Sequence, residues 1–131
     1  MSTQEVIQRL HPPLPEPEIR AGSTALLVID MQYGDAHRDH GLLREMRDRG
    51  DRGYEYYIEQ VESVVIPNIR RLLEAFRAAR IEVLHTRIES LTADGRDRSP
   101  EHKRLAMHFP PGSMEARILP EVAPDKLLGA L

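Results

Sequence analysis

Asp30 is the residue of this chain best placed to do chemistry. It stands where the short apolar run Ala25-Leu26-Leu27-Val28-Ile29, opened by Thr24, stops, and Met31-Gln32 follow it. A carboxylate at the rim of a crevice has its pKa and its proton-transfer role set by its surroundings; the simpler alternative is a polar residue capping a strand end. Arg87 and Glu89, in Thr86-Arg87-Ile88-Glu89, close a second apolar run, Ile81-Glu82-Val83-Leu84-His85. They can bind a polar substrate, orient Asp30, or pair with each other. Gln32 and Tyr33, next to Asp30, complete the local candidates for substrate binding. Asp35, His37 and His40 are residue types that bind zinc, but they lie in a charged stretch without a regular frame, and exposure is the better reading. His85 is expected in the core, and His108 permits no reading by itself.

What is missing limits the chemistry as firmly. The chain has no cysteine, which excludes disulfides, thiolate metal sites and a thiol nucleophile within these residues. No glycine-rich phosphate loop follows either run, so a dinucleotide-binding fold is unsupported. Nor is there a Gly-x-Ser-x-Gly nucleophile elbow.

The elements that must position Asp30 follow from the pattern around it. The first run is short, rich in branched side chains and preceded by Gly22-Ser23. It reads as a strand buried on both faces of a parallel sheet, where ligands bind beyond the carboxyl ends of the strands. From Tyr54 a helical period takes over. Tyr57, Ile58, Val61 and Val65 share a face that Ile66, Ile69, Leu72, Leu73 and Phe76 continue, with Arg70, Arg71, Glu74, Arg77 and Arg80 toward water. Pro67 either kinks this helix or sits in the first turn of a second one. Strand, helix and strand in that order make a crossover unit with a parallel pair.

Between the first strand and that helix, Tyr33 to Gly53 reads as a long, charge-balanced surface stretch with local ion pairs and a short helix around Leu42, Leu43 and Met46. Its length suits a lid. Ser99-Pro100-Glu101 is a helix start expected to run through about Met107, and Met114 to Leu119 are expected to form one helical turn. Residues 1–22 form an arm whose His11-Pro12-Pro13-Leu14-Pro15-Glu16-Pro17 runs as polyproline II. The tail from Asp125 to Leu131 is expected to begin a further element.

With 131 residues, 40% of them hydrophobic and 30% charged, the composition is that of an ordinary folded domain. The formal net charge of -3 argues against a nucleic-acid partner. No apolar stretch reaches the roughly eighteen residues that a membrane span needs, and the N-terminus lacks the basic start and apolar core of a secretory signal. A cytoplasmic location is expected.

Taken in order, Thr24-Ala25-Leu26-Leu27-Val28-Ile29-Asp30-Met31-Gln32, Ile66-Pro67-Asn68-Ile69, Leu72-Leu73-Glu74-Ala75-Phe76-Arg77, Ile81 to Arg87, Gly112-Ser113 and Ile118-Leu119-Pro120-Glu121 resemble the N-terminal half of the isochorismatase-like cysteine hydrolases. The resemblance implies an α/β fold, a three-layer Rossmann-like parallel sheet with helices on both faces, whose C-terminal half is missing from this chain. Beside the arm of residues 1–22, it implies a half-domain at 23–131. It also implies a triad of Asp, Lys and Cys in which the cysteine attacks a carbonyl carbon, the aspartate moves its proton and the lysine supports the charged pair. Asp30 matches the aspartate. Lys126 comes too early for the lysine, and the cysteine is absent. Some relatives hold a metal through an Asp-x-His after their second strand. Arg87-Ile88-Glu89 stands there instead, so no metal or other cofactor is expected.

The expected function is hydrolysis of a C–N bond in a small amide or ureide through a cysteine thioester, with Asp30 as the proton-transfer residue and Gln32, Tyr33, Arg87 and Glu89 at the substrate. Vinyl ether hydrolysis is the second chemistry. The chain alone is expected to be inactive, and a homo-oligomer or a complementing second chain is the expected partner. The alternative is a non-catalytic binding or assembly module, or an inactive half-domain.

Overall fold

In the computed structural model, residues 9–10 and 16–125 are described. The segment His11 to Pro15 of the proline-rich arm, the preceding residues 1–8 and the tail from Lys126 to Leu131 lie outside the described residues. Two strands, β1 (Ala25–Ile29) and β2 (Glu82–Thr86), pair in parallel, with Leu26 opposite Val83 and Val28 opposite His85. Between them run α1 (Tyr33–Ala36), α2 (Gly41–Asp48), α3 (Glu55–Gln60) and α4 (Ile66–Ala78); α5 (Pro100–Arg104) and a 3₁₀ turn (Pro120–Val122) follow β2.

The strand–helix–strand order expected from the periodicity is present, and Pro67 does lie in the first turn of a second helical segment. Helical dihedrals nevertheless continue across the junction, because Val61–Val65 form a π turn in which the Ile66 N–H reaches back to the Val61 carbonyl. Pro67 has no N–H to give and its ring presses on the carbonyl four residues back. A widened turn just before it relieves both problems without a break. Arg80 ends the run in the left-handed region, at φ 55°, and the Ile81 N–H caps the Phe76 carbonyl at 2.9 Å.

The core forms where α4 lies on one side of the sheet, with Ile58 of α3 joining the same cluster. Val28, Leu43, Ile58, Val61, Leu73, Leu119 and Val122 are buried together, with Leu26, Val83 and Ile69 packed against them. Each fully buried aliphatic side chain contributes about 1.5–3 kcal/mol. His85 joins this face as expected: its Nε2 lies 2.9 Å from the Val122 carbonyl.

Two expectations are corrected. The strands are not buried on both faces, for Leu27, Ile29 and Leu84 are 48%, 60% and 46% exposed. The unbroken apolar run calls for a second cover, but no described helix closes over Leu27, Ile29 and Leu84. Met114 to Leu119 do not form a helical turn either. A tight turn carries the chain from Ser113 to Arg117, and Ile118 then bridges antiparallel to Gln32. The strongest demand there is for backbone partners along residues 31–34, which an extended segment meets and a helix cannot. The helix after Ser99 is as expected at its start, where the Ser99 hydroxyl accepts from the His102 N–H at 3.1 Å. It ends earlier, with Ala106 left-handed at φ 55°.

The charge-balanced stretch holds local ion pairs of Arg47 with Asp39 and Asp48, while Arg38 and Arg52 reach beyond it to Glu62 and Glu55. Its helix α2 starts at a glycine for a reason. Gly41 has φ 52°, and a Cβ there would sit 2.0 Å from the Gly34 carbonyl oxygen. Gly41→Ala therefore meets both a strained conformation and immovable backbone, and should destabilise the chain by about 2–4 kcal/mol. A denaturant titration compared with Gly50→Ala, where positive φ is the sole obstacle, separates the two contributions.

Candidate active site

β1 ends at Ile29, and Asp30 turns the chain by adopting the left-handed conformation at φ 52°. Among non-glycine residues Asp tolerates this region best alongside Asn, since a short polar side chain can bond locally. Strain of this kind gathers at functional sites. The Asp30 N–H still donates to the Thr86 carbonyl at 3.1 Å, extending the ladder by one rung, and the Thr86 hydroxyl donates to Asp30 Oδ1 at 3.2 Å. The carboxylate is thus held at the carboxyl end of the sheet, across from the end of β2, and is half-buried.

Beyond the corner the chain runs beside a second segment. Leu119 N–H donates to Met31 O, Tyr33 N–H to Arg117 O and Gly34 N–H to Glu115 O, each at 2.9 Å. Gln32 locks this arrangement. It is fully buried; its Nε2 donates to the carbonyls of Ile88 (3.0 Å) and Glu115 (3.1 Å), and its Oε1 accepts from the Ile88 N–H at 2.6 Å. An amide with no exposed surface does not face a ligand in this conformation. Gln32 instead fastens the exit of β2 and the 115–119 segment to the strand end that carries Asp30.

Arg87 and Glu89 pair with each other at 2.5 Å. Glu89 Oε1 also accepts from the Gly112 N–H at 2.7 Å, and Arg87 lies 3.5 Å from the Ala116 carbonyl. Both remain partly open to solvent while bracing the loops that follow β2. The Tyr33 ring lies 5.0 Å from the rings of His37 and His40. His40 Nδ1 lies 3.6 Å from Glu115 Oε1, an ion-pair distance for a protonated imidazole but too long for a hydrogen bond. Asp35, His37 and His40 do not converge on a common point: among the described residues no group of three His, Asp or Glu side chains could hold a metal ion.

Asp35 has a different importance. Burial, reinforced by the negative charge of Asp30 and only partly offset by His102, pushes its carboxyl up to about 6. Its Oδ2 is buried without a hydrogen-bond partner among the described residues. The Tyr57 hydroxyl donates to the Asp35 carbonyl oxygen at 3.1 Å, and burial raises that phenol as well.

The family model described as Isochorismatase domain matches residues 24–129. The chain belongs to the isochorismatase family. No curated protein matches it. The matched span opens at Thr24, the residue where the sequence resemblance also begins, and it takes in Asp30, both strands and the segment that bridges to Gln32. Isochorismatase-family domains are hydrolases. Among the described residues no helix is long and apolar enough to cross a membrane.

Within this isochorismatase domain, sequence reasoning missed Asp35 as a carboxyl coupled to Asp30. The one available signal was its spacing, five residues on at the start of a short helix, and that is weak without the corner at Asp30. A consequence for stability follows. Folding raises the Asp35 pKa above its ordinary value, so the folded chain holds this proton more tightly than the unfolded chain does. The unfavourable contribution is absent well below the ordinary value of 3.8, grows as pH rises from there toward about 6 and is fully present above it. Asp35→Asn should raise the melting temperature at about pH 7.5, by an amount near 1 kcal/mol once the group's partial exposure is allowed for, and leave it unchanged at about pH 2.5. Equal melting shifts at both values would show that the charge is not responsible.

Proposed function

We propose that this chain carries the aspartate-bearing part of a cysteine hydrolase that cleaves a C–N bond in a small amide or ureide. Asp30 takes the proton of a cysteine thiol, the thiolate attacks the substrate carbonyl carbon, and the C–N bond breaks as the proton is returned to the leaving nitrogen. Water then hydrolyses the thioester with the same carboxylate as base, and the thiol is restored. Hydrolysis of a vinyl ether is the second chemistry of the same machinery. The observation that carries the reading is Asp30 itself: a strained, half-buried carboxylate, held by Thr86 at the carboxyl end of a parallel pair, in a chain of a hydrolase family.

The cysteine and lysine of the triad are supplied from outside the 131 residues, which contain no cysteine. In this reading residues 1–22 are an arm and 23–131 contribute half of a three-layer sheet in a cytoplasmic enzyme. Tyr33, Arg87 and Glu89 line the substrate's polar side, with Gln32 acting through the loops it fastens. Ammonia release from primary amides and ureides, measured with and without a thiol alkylator, tests the proposal. The complete enzyme should be active and lose activity on alkylation, and residues 1–131 alone should release none. Alkylation-resistant hydrolysis by the 131 residues would overturn it.

A second reading, an assembly module without chemistry, is favoured by one observation, the open sheet face of Leu27, Ile29 and Leu84. An apolar face of this kind draws in another chain or segment. Under either reading, sedimentation of residues 1–131 should show an oligomer or a marginally folded species. A monomer with a sharp, cooperative melt would refute the need for a partner surface.

A further inference from the structure

A cavity of about 330 Å³ lies between α1, α2 and the start of α3, within the size range of small-molecule sites. Leu43 and Met46 of α2 and Met107 form apolar walls, Tyr54 and Tyr57 add two aromatic side chains, and among the described residues Asp35 is the one carboxyl in the lining. The open sheet face is a separate feature, formed by Leu27, Ile29 and Leu84.

The character of this cavity is that of a site for a cation with an apolar body. Asp35 Oδ2 is buried with no hydrogen-bond partner among the described residues, and His102 offsets the carboxylate's charge only in part. Asp30 adds negative charge to the same region, and among the described residues His102 supplies an opposing positive charge. Tyrosine rings attract cations through their faces, and the two methionines adapt their shape to an apolar ligand. A neutral or anionic molecule would find the apolar walls but nothing to answer the carboxylate.

We propose that the Asp35 cavity binds a small organic ammonium compound whose apolar portion fills the space between Leu43, Met46, Met107 and the two tyrosines. Charge complementarity at Asp35 selects the ammonium over neutral compounds of the same shape. Binding is read without turnover, so the proposal stands or falls separately from the hydrolase reading.

The test uses the full 131-residue chain with methyl-labelled methionine, titrated at about pH 7.5 with phenethylamine, phenethyl alcohol and phenylacetate. The expected result is that the amine moves the Met46 and Met107 methyl resonances and binds at least about tenfold tighter than the alcohol, with phenylacetate weakest. Asp35→Asn, which keeps shape and removes charge, should bind amine and alcohol equally while its circular dichroism stays that of the parent. The proposal is overturned if the amine fails to bind at about 10 mM, if amine and alcohol bind the parent chain equally, if Asp35→Asn keeps the amine preference, or if the shifted resonances belong to other methionines.

Discussion

Asp30→Asn in the complete enzyme should lower kcat/KM by about three orders of magnitude, which corresponds to roughly 4 kcal/mol of lost transition-state stabilisation. The asparagine cannot take a thiol proton, and without that transfer the nucleophile stays a weak one. Structure should be spared. Asparagine shares the tolerance of aspartate for the left-handed region, and its carbonyl oxygen can still accept the Thr86 hydroxyl now bonded to Oδ1 at 3.2 Å. A melting temperature close to the parent's, together with lost ammonia release, is therefore the expected pair of results. Asp30→Ala is the poorer probe, since it adds about 1–2 kcal/mol of backbone strain at φ 52°. Parent-like activity in Asp30→Asn would remove Asp30 from the mechanism.

Gln32→Ala should destabilise the chain by about 3–4 kcal/mol, a large part of the stability of a domain this size. It deletes three hydrogen bonds at once, takes from Ile88 the partners of its N–H and its carbonyl, and leaves the Glu115 carbonyl with the Gly34 N–H. Gln32→Glu distinguishes hydrogen bonding from volume. It keeps the size and can still accept from the Ile88 N–H, but an ionised carboxylate faces two carbonyl oxygens to which it cannot donate. Its loss of stability should be greater near pH 7 than near pH 4, where a protonated carboxyl regains one donor. Chemical denaturation at the two pH values measures this. An equal, small loss in both variants would show that the clip matters less than its geometry indicates.

Much of the frame around Asp30 is written locally. The apolar run from Ala25 to Ile29, the helical period from Ile58 to Phe76, Pro67 in a first turn and Ser99 as a cap are features of neighbouring residues, set by periodicity, missing N–H groups and short-range capping. The run of family motifs likewise lay in order along the chain, so the hydrolase family and the strand-end position of Asp30 could be read without coordinates. Tertiary structure alone decided the rest. Gln32 reads as a polar residue beside a site, yet it is fully buried, because its partners stand 56 and 83 residues away. Asp35 reads as one more charge on a polar stretch, and becomes a perturbed carboxyl only when folding removes its water and brings Asp30's field to bear on it. Ile118 makes a single bridge that no periodicity announces. In the sheet the pattern of β1 demands two covers, while the described helices supply one. Sequence pattern states which side chains avoid water; which polar groups lose theirs, and to what partners, depends on distant segments meeting, because desolvation and hydrogen-bond satisfaction are properties of the assembled site.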